Sequence, residues 1–96
     1  MNIHVKLFGA LRSAAKTSEL SLQVPDTPTV KTAISALVSD EQYPLLRSLL
    51  FSGDNADPRP NALILVAGRE IGTLEGLDTG LNDGDELSLL PVAHGG

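Results

Sequence analysis

The amino-acid sequence predicts an α+β domain in which a mixed sheet of four to five strands is covered on one face by one main helix. Two observations carry this prediction. Short runs of alternating apolar and polar residues are typical of strands, and one longer run has its apolar residues at helical spacing. The chain has 96 residues, of which 3% are aromatic. That length suits a single domain with a small aliphatic core.

The first two strands are predicted at residues 2–8 and 20–24, where apolar residues occupy every second position. The apolar positions of the first strand are Ile3, Val5 and Leu7. Residues 9–18 are small and polar, which predicts a connecting loop. Pro25 ends the second strand, because proline cannot donate a ladder hydrogen bond. Strands this close in sequence usually pair as antiparallel neighbours.

The main helix is predicted to begin after Thr29, a residue type that caps helix N-termini well. Its apolar stripe consists of Val30, Ile34, Leu37 and Val38. The apolar stripe ends near residues 39–40, where the helix is predicted to end. A shorter helical turn is predicted at residues 45–50, where leucines recur four apart.

The second half of the chain adds three strands. Residues 52–61 form a loop with two prolines, and residues 61–68 form a third strand whose nearly continuous apolar character indicates a central position. A brief strand is expected at residues 70–72, and a last strand at residues 86–90 ends at Pro91. The order strand, strand, helix, strand, short strand, strand is that of the β-grasp arrangement.

Alternation within the third strand leaves one choice open. Either Ile64 and Val66 or Leu63 and Leu65 face the helix, and the other pair then faces outward.

We expect a domain at residues 1–91 followed by a flexible tail at residues 92–96. The tail ends in Gly95 and Gly96, which leave a slim carboxylate with no Cβ beside it. The alternative is a frayed chain end that happens to be rich in glycine.

Composition excludes several function classes. The formal net charge of -5 argues against a nucleic-acid partner, which requires a basic footprint. The chain has no cysteine and therefore no disulfide, thiolate metal site or thiol nucleophile. Two isolated histidines, His4 and His94, do not make a metal site, so no metal is expected.

The apolar runs predict no membrane association. The longest, residues 62–67, is far too short to span a bilayer, and the N-terminal segment is a poor signal peptide. We therefore expect a cytoplasmic protein.

Three segments resemble the molybdopterin synthase small subunit family of ubiquitin-like sulfur carriers. They are LFGALRSAA at residues 7–15, RPNALILVAGREI at 59–71 and LNDGDELSLLPVAHGG at 81–96. The ending at residues 94–96 is also similar to that of the ubiquitin-related modifier Urm1, and archaeal small modifier proteins share both patterns. The resemblance spans essentially the whole chain and is most specific at the terminal motif.

The resemblance implies that the chemistry maps onto Gly96, preceded by the slim Gly95. An E1-like activating enzyme would use ATP to adenylate the carboxylate of Gly96, which is then converted to a thiocarboxylate. The sulfur would pass to a pterin precursor, in a complex with a molybdopterin synthase large subunit, or to a tRNA base or another acceptor. Alternatively, the activated carbonyl would be taken by a lysine of a target protein.

The chain itself is expected to be a cosubstrate and not an enzyme. It contains neither GxxxxGK[ST] nor GxGxxG, so it has no nucleotide-binding loop and no bound cofactor is expected. His94 departs from the small or apolar residue that many relatives carry before the diglycine, which leaves the molybdopterin and Urm1 types both open. A third reading, a plain interaction module with an accidental diglycine, also stays open.

A partner-binding surface is expected on the outward side of the sheet. Because the apolar residues of the first strand face the helix, Phe8 faces outward beside Leu90. An exposed apolar patch on a small acidic domain indicates docking, unless a dimer or a loop covers it. The residues expected to contact a partner are Phe8, Leu90, Pro91, Val92 and His94.

Overall fold

The computed structural model describes residues 1–51 and 57–92. It contains one five-stranded sheet. The strands are β1 (Asn2–Leu7), β2 (Glu19–Gln23), β3 (Ala62–Val66), β4 (Arg69–Glu70) and β5 (Glu86–Pro91), and their order in the sheet is β2-β1-β5-β3-β4. The α+β class and the strands expected from alternation are confirmed.

The last strand lies in the middle of the sheet. β5 pairs in parallel with β1 and antiparallel with β3, whereas β2 and β4 each pair antiparallel with one neighbour at the two edges. β3 also has a strand on each side, as predicted from its nearly continuous apolar run, although β5 is the middle strand of the sheet. The outward side of β3 is apolar as well, and Leu63 is 42% exposed there.

The main helix, α2 (Val30–Val38), has the predicted bounds and cap. The Thr29 hydroxyl accepts a hydrogen bond from the Thr32 N–H at 3.2 Å, and the Thr32 hydroxyl accepts one from the Thr29 N–H at 2.7 Å. This reciprocal capping box satisfies two donors at the N-terminal end of the helix. The shorter helical turn is confirmed as α3 (Leu46–Leu50).

The loop predicted at residues 9–18 is wrong, because this segment contains the helix α1 (Gly9–Ala15). Leu11 and Ala15 are buried one turn apart, and the remaining residues include good helix formers. With only two buried positions, the segment is too short for its apolar spacing to show a helical period. Lys16 ends the helix in the left-handed conformation, with φ 60°.

Helices and sheet enclose one apolar core. In β3, Ile64 and Val66 face this core, so Leu63 and Leu65 take the outward side and the open choice is settled. The fully buried large side chains are Ile3, Val5, Leu7, Val30, Ile34, Leu37, Leu46, Leu50, Ile64, Ile71, Leu87 and Leu89. They come from β1, β3 and β5, from α2 and α3, and from the short 3-10 turn Ile71–Thr73, so the core joins the three inner strands of the sheet to both of these helices.

Candidate functional site

An exposed apolar surface covers the end of the sheet from which the chain leaves β5. We call it the outward apolar surface; its exposed members are Phe8, Leu63 and Val92, and its half-buried members are Leu65 and Leu90. Leu63 and Leu90 are direct partners across β3 and β5. The exposed fractions of Phe8 and Val92 are 40% and 41%, large for side chains of this type in a small domain.

Phe8 is held at this surface by the backbone. It directly follows β1, and its N–H donates to the carbonyl of Leu89 at 3.3 Å, which extends the pairing of β1 with β5. Phe8 is exposed, as predicted. Leu90 was predicted to be exposed but is half-buried, because β5 has a neighbouring strand on each side.

Pro91 and Val92 are exposed at the end of the same strand. His94, Gly95 and Gly96, the remaining predicted site residues, lie outside the described residues. The contacts proposed for all of these side chains with a partner stay predictions.

The other half of the outward face is polar. The Lys6 Nζ lies 3.3 Å from Glu86 Oε1, and the His4 Nε2 lies 3.7 Å from Glu19 Oε2. These pairs bridge β1 to β5 and to β2. Among the described residues, the apolar side chains of the outward face therefore lie toward the C-terminal end of β5.

An open cleft of about 150 Å³ borders the outward apolar surface at Phe8. Its lining residues are Lys6, Leu7, Phe8, Arg12, Ser18 and Glu19. Charges of both signs therefore lie beside the exposed aromatic ring, in the arrangement of a polar rim around an apolar contact.

The end of β5 is held from both sides. On the β1 side, Pro91 packs against Gly9, where no side chain intervenes. On the β3 side, the Val92 N–H donates to the carbonyl of Asn61 at 3.0 Å. The Asn61 side chain in turn donates from Nδ2 to the carbonyl of Leu50, at the end of α3, at 2.9 Å.

Sequence reasoning did not single out Asn61. An asparagine between a proline and an apolar run is typical of turns, and nothing in the sequence shows that its side chain reaches α3. Gly9 belongs to the loop predicted at residues 9–18, and nothing in the sequence shows that it meets Pro91.

The turn that precedes Asn61 is fixed by an ion pair. The Arg59 guanidinium donates to Asp57 from Nε at 2.9 Å and from Nη2 at 2.6 Å. This side-chain hydrogen bonding from Arg59 holds the pKa of Asp57 below its ordinary value. Asn61 then donates its own N–H to the carbonyl of Pro58 at 2.9 Å, so the turn places Asn61 at the start of β3.

This sheet, with its first and last strands parallel at the centre and helices on one face, defines a ubiquitin-like β-grasp domain. The model of the ThiS family matches residues 5–96, and the chain belongs to that family.

A curated relative and several solved structures support the assignment. The chain is 28% identical over 96 residues to small archaeal modifier protein 3 of Haloferax volcanii, with complete coverage of both. It matches the crystal structure of SAMP1 from Haloferax volcanii with a TM-score of 0.84, 30% identity and complete coverage of both chains.

Two further structures extend the similarity. The solution structure of small archaeal modifier protein 1 from Methanosarcina acetivorans gives a TM-score of 0.82 and 37% identity, covering 99% of this chain and 96% of that one. The structure of Urm1 from Trypanosoma brucei gives a TM-score of 0.75 and 28% identity, covering 99% and 95%. The resemblance found in the sequence is thereby confirmed.

Membership of this family makes the chain a small carrier or modifier protein and not an enzyme. Within the parts of the chain that the structure describes, no helix has the length and apolar character needed to cross a membrane.

Proposed function

We propose that this protein is a sulfur carrier whose C-terminal Gly96 is adenylated by an E1-like enzyme and then converted to a thiocarboxylate. The observation that carries the proposal is the position of β5. The strand that precedes the diglycine ends within the outward apolar surface, so a partner docked there lies next to Val92, the last described residue before the diglycine. Capture of a chain-end carboxylate is a recurring mode of recognition.

The chemistry requires a partner, because a carboxylate is a poor electrophile. An oxygen of the Gly96 carboxylate attacks the α-phosphorus of ATP, which forms the acyl-adenylate and releases pyrophosphate. A sulfur nucleophile at the oxidation level of hydrosulfide then attacks the carbonyl carbon. AMP leaves with one former carboxylate oxygen, and the thiocarboxylate remains. The ATP site belongs to the activating enzyme.

Gly95 and Gly96 suit this reaction because they present no side chain to a narrow site. Deleting both residues is expected to abolish ATP–pyrophosphate exchange by the E1-like enzyme. The midpoint of thermal unfolding should change little, since the buried core of the described residues runs from Ile3 to Leu89. Exchange that persists after the deletion would refute the proposed role of Gly96.

Intact mass spectrometry of protein purified from its native cells tests the second step. The proposal expects a species heavier by the difference between sulfur and oxygen, which reverts when the thiocarboxylate is hydrolysed. A variant that lacks Gly96 is the matched control. A sulfur acceptor such as a pterin precursor or a tRNA base would be identified by transfer from this species.

A second candidate function is that of a ubiquitin-like modifier joined through Gly96 to lysines of target proteins. It is favoured by the names of the relatives, which are called modifier proteins. The acyl-adenylate serves here too, with the lysine amine as nucleophile and AMP as leaving group. A ladder of larger adducts that disappears without Gly96 would support this function.

A further inference from the structure

We propose that the outer edge of β2 pairs with the same edge of a second copy of this chain, in an antiparallel register centred on Leu22. The outer edge is the side of β2 (Glu19–Gln23) that faces away from β1, its one neighbour in the sheet of the described residues. The diglycine and the outward apolar surface play no part in this pairing, so it stands whether or not the proposed function holds.

Backbone hydrogen bonds at both ends of β2 show which of its residues bond to β1. The Val24 N–H donates to the Met1 carbonyl at 2.9 Å, and the Leu7 N–H donates to the Ser18 carbonyl at 2.9 Å. In an antiparallel ladder, hydrogen-bonded pairs alternate with non-bonded ones. The even-numbered residues of β2 therefore bond to β1, and the backbone groups of its odd-numbered residues point to the outer edge. These odd-numbered residues are Glu19, Ser21 and Gln23.

Thr17 already satisfies the first of these three positions. Its hydroxyl accepts the Glu19 N–H at 3.3 Å and donates to the Glu19 carbonyl at 2.7 Å. Within residues 1–51 and 57–92, no hydrogen bond reaches the outer N–H and carbonyl groups of Ser21 and Gln23. Pro25, beyond the strand, has no N–H to offer. The free part of the edge is thus two residues long, each with one donor and one acceptor.

These free groups are complementary to the same groups of a second copy. When Leu22 lies opposite Leu22 of the second copy, Ser21 faces Gln23 and Gln23 faces Ser21, so every free donor meets a free acceptor. A shift by two residues in one direction places Glu19, whose groups are taken, opposite a free residue. A shift in the other direction places Pro25 there, which cannot donate. The free groups therefore specify a twofold pair in one register.

The side chains of β2 permit this approach. The charged residue of the strand, Glu19, lies opposite Pro25 of the second copy, so the two carboxylates do not face each other. Leu20, half-buried at the edge, gains Val24 of the second copy as an apolar neighbour. Proteins often protect an edge strand by a lysine, a proline or a very short length. β2 has neither residue type, whereas the opposite edge strand, β4, has only two residues.

Pairing at β2 leaves the outward apolar surface open in both copies. β1 lies between β2 and β5, and Leu22 faces Ile3 at the start of β1, whereas Phe8 follows its end. One pair of short edge strands buries less than the roughly 1,200 Å² of a stable interface, so the dimer should be transient. We expect a dissociation constant on the order of 1 mM.

Concentration-dependent NMR of the full 15N-labelled chain tests the pairing. From well below to above the expected dissociation constant, the rotational correlation time should rise toward that of a dimer. The amides of Ser21 and Gln23 should shift most and gain protection from hydrogen exchange. A chain that stays monomeric throughout would leave this edge to an extended segment of another protein and overturn the proposal. Association with shifts confined to a different surface would overturn it as well.

Charge variants test the register. Ser21→Lys with Gln23→Lys places like charges opposite each other in the pair, and so does Ser21→Glu with Gln23→Glu. Each variant alone should associate about tenfold more weakly than the unchanged protein. An equal mixture of the two should recover, because each lysine then faces a glutamate. A mixture that associates no better than either variant alone would contradict the register and overturn the proposal.

Ala10→Lys with Ser13→Lys is the matched control. It adds the same charge as the lysine variant of the edge, at two exposed positions of α1. It should associate like the unchanged protein, since neither residue lies on β2. If this control associates as weakly as the edge variants, net charge and not the edge sets the effect, and the proposal fails.

Ser21→Pro provides a second test that uses no charge. It removes the free N–H of Ser21 and leaves the hydrogen bonds between β2 and β1 in place, because proline is tolerated where an edge N–H faces solvent. Self-association should be lost while the thermal unfolding midpoint changes little. Unchanged association of Ser21→Pro would show that the outer edge is not the contact.

Discussion

Gly9 packs directly against the ring of Pro91, which leaves little room for a side chain between them. A Cβ at Gly9 would be 3.1 Å from Pro91 Cγ and 3.5 Å from Pro91 Cδ, and Gly9 has a φ of +54°. Both the tight space and the positive φ therefore favour glycine where β1 turns into α1. This contact links the first helix to the end of β5.

Replacing Gly9 and a second glycine with alanine separates the cost of the contact with Pro91 from the cost of the positive φ. Gly9→Ala is expected to lower the free energy of unfolding by about 2–4 kcal/mol, since it adds a steric conflict with Pro91 to the cost of a positive φ. Gly68→Ala is the matched control: its φ is +82°, but nothing lies within 4 Å of the added Cβ. It should lose only about 1–2 kcal/mol. Equal losses in chemical denaturation would show that the contact with Pro91 carries no cost.

The packing of α2 predicts a large effect at Leu37, which is fully buried. Leu37→Ala should reduce the free energy of unfolding by about 2–5 kcal/mol, a large share of the stability of a domain of this size. Leu45→Ala is the control, because its side chain is 58% exposed and its removal should change stability by less than about 0.5 kcal/mol. Urea titration followed by circular dichroism measures both. A loss below about 1 kcal/mol at Leu37 would contradict the observed helix register.

The outward apolar surface predicts a binding defect. Phe8→Ala combined with Leu90→Ser should weaken binding to the E1-like enzyme or to a synthase large subunit at least tenfold, since an aromatic anchor at an interface contributes about 2 kcal/mol or more. Because Leu90 is half-buried, a stability loss of about 1 kcal/mol is expected as well. The matched control is Leu45→Ala with Leu49→Ser, which removes exposed apolar side chains from the α3 region. Isothermal titration calorimetry measures the affinity of each variant for the partner. If the Phe8→Ala, Leu90→Ser variant binds with unchanged affinity, the docking surface lies elsewhere.

The ion pair between Asp57 and Arg59 predicts a pH dependence of stability. The hydrogen bonds from Arg59 lower the pKa of Asp57, so the folded state binds this proton less readily than the unfolded chain. The stabilisation is therefore present above the unfolded pKa of about 3.9 and is lost as the pH falls through the lower folded value. The unfolding midpoints of the unchanged protein and of Asp57→Asn should differ at neutral pH and converge in acid. A constant difference between them down to about pH 2 would contradict this assignment.

Much of the fold could be predicted from local patterns. The alternation in β1 and β5 and the apolar stripe of α2 each predict a face that is buried in the structure. The capping residue Thr29 correctly predicts where α2 begins. The helix α1 escaped prediction because two buried residues one turn apart cannot establish a period. The central position of β5 also escaped, since apolar content along a strand does not show which neighbours it has.

The candidate site was predictable only where strand alternation governs it. Phe8 followed from the register of β1, and the choice between Leu63 and Ile64 required the packed structure. The contacts of Asn61 and Gly9 depend on elements distant along the chain, such as α3 and the end of β5, and no local pattern reveals them.

The central position of β5 has a consequence for how the chain folds. The hairpin of β3 with β4 and the pairing of β1 with β2 each join segments that precede β5 in the sequence. Until β5 pairs with both, β1 and β3 each present an open edge of unpaired backbone groups. The strand that leads to the diglycine is thus also the one that joins the two parts of the sheet, so we expect a chain truncated before β5 to leave the sheet in two separate pieces.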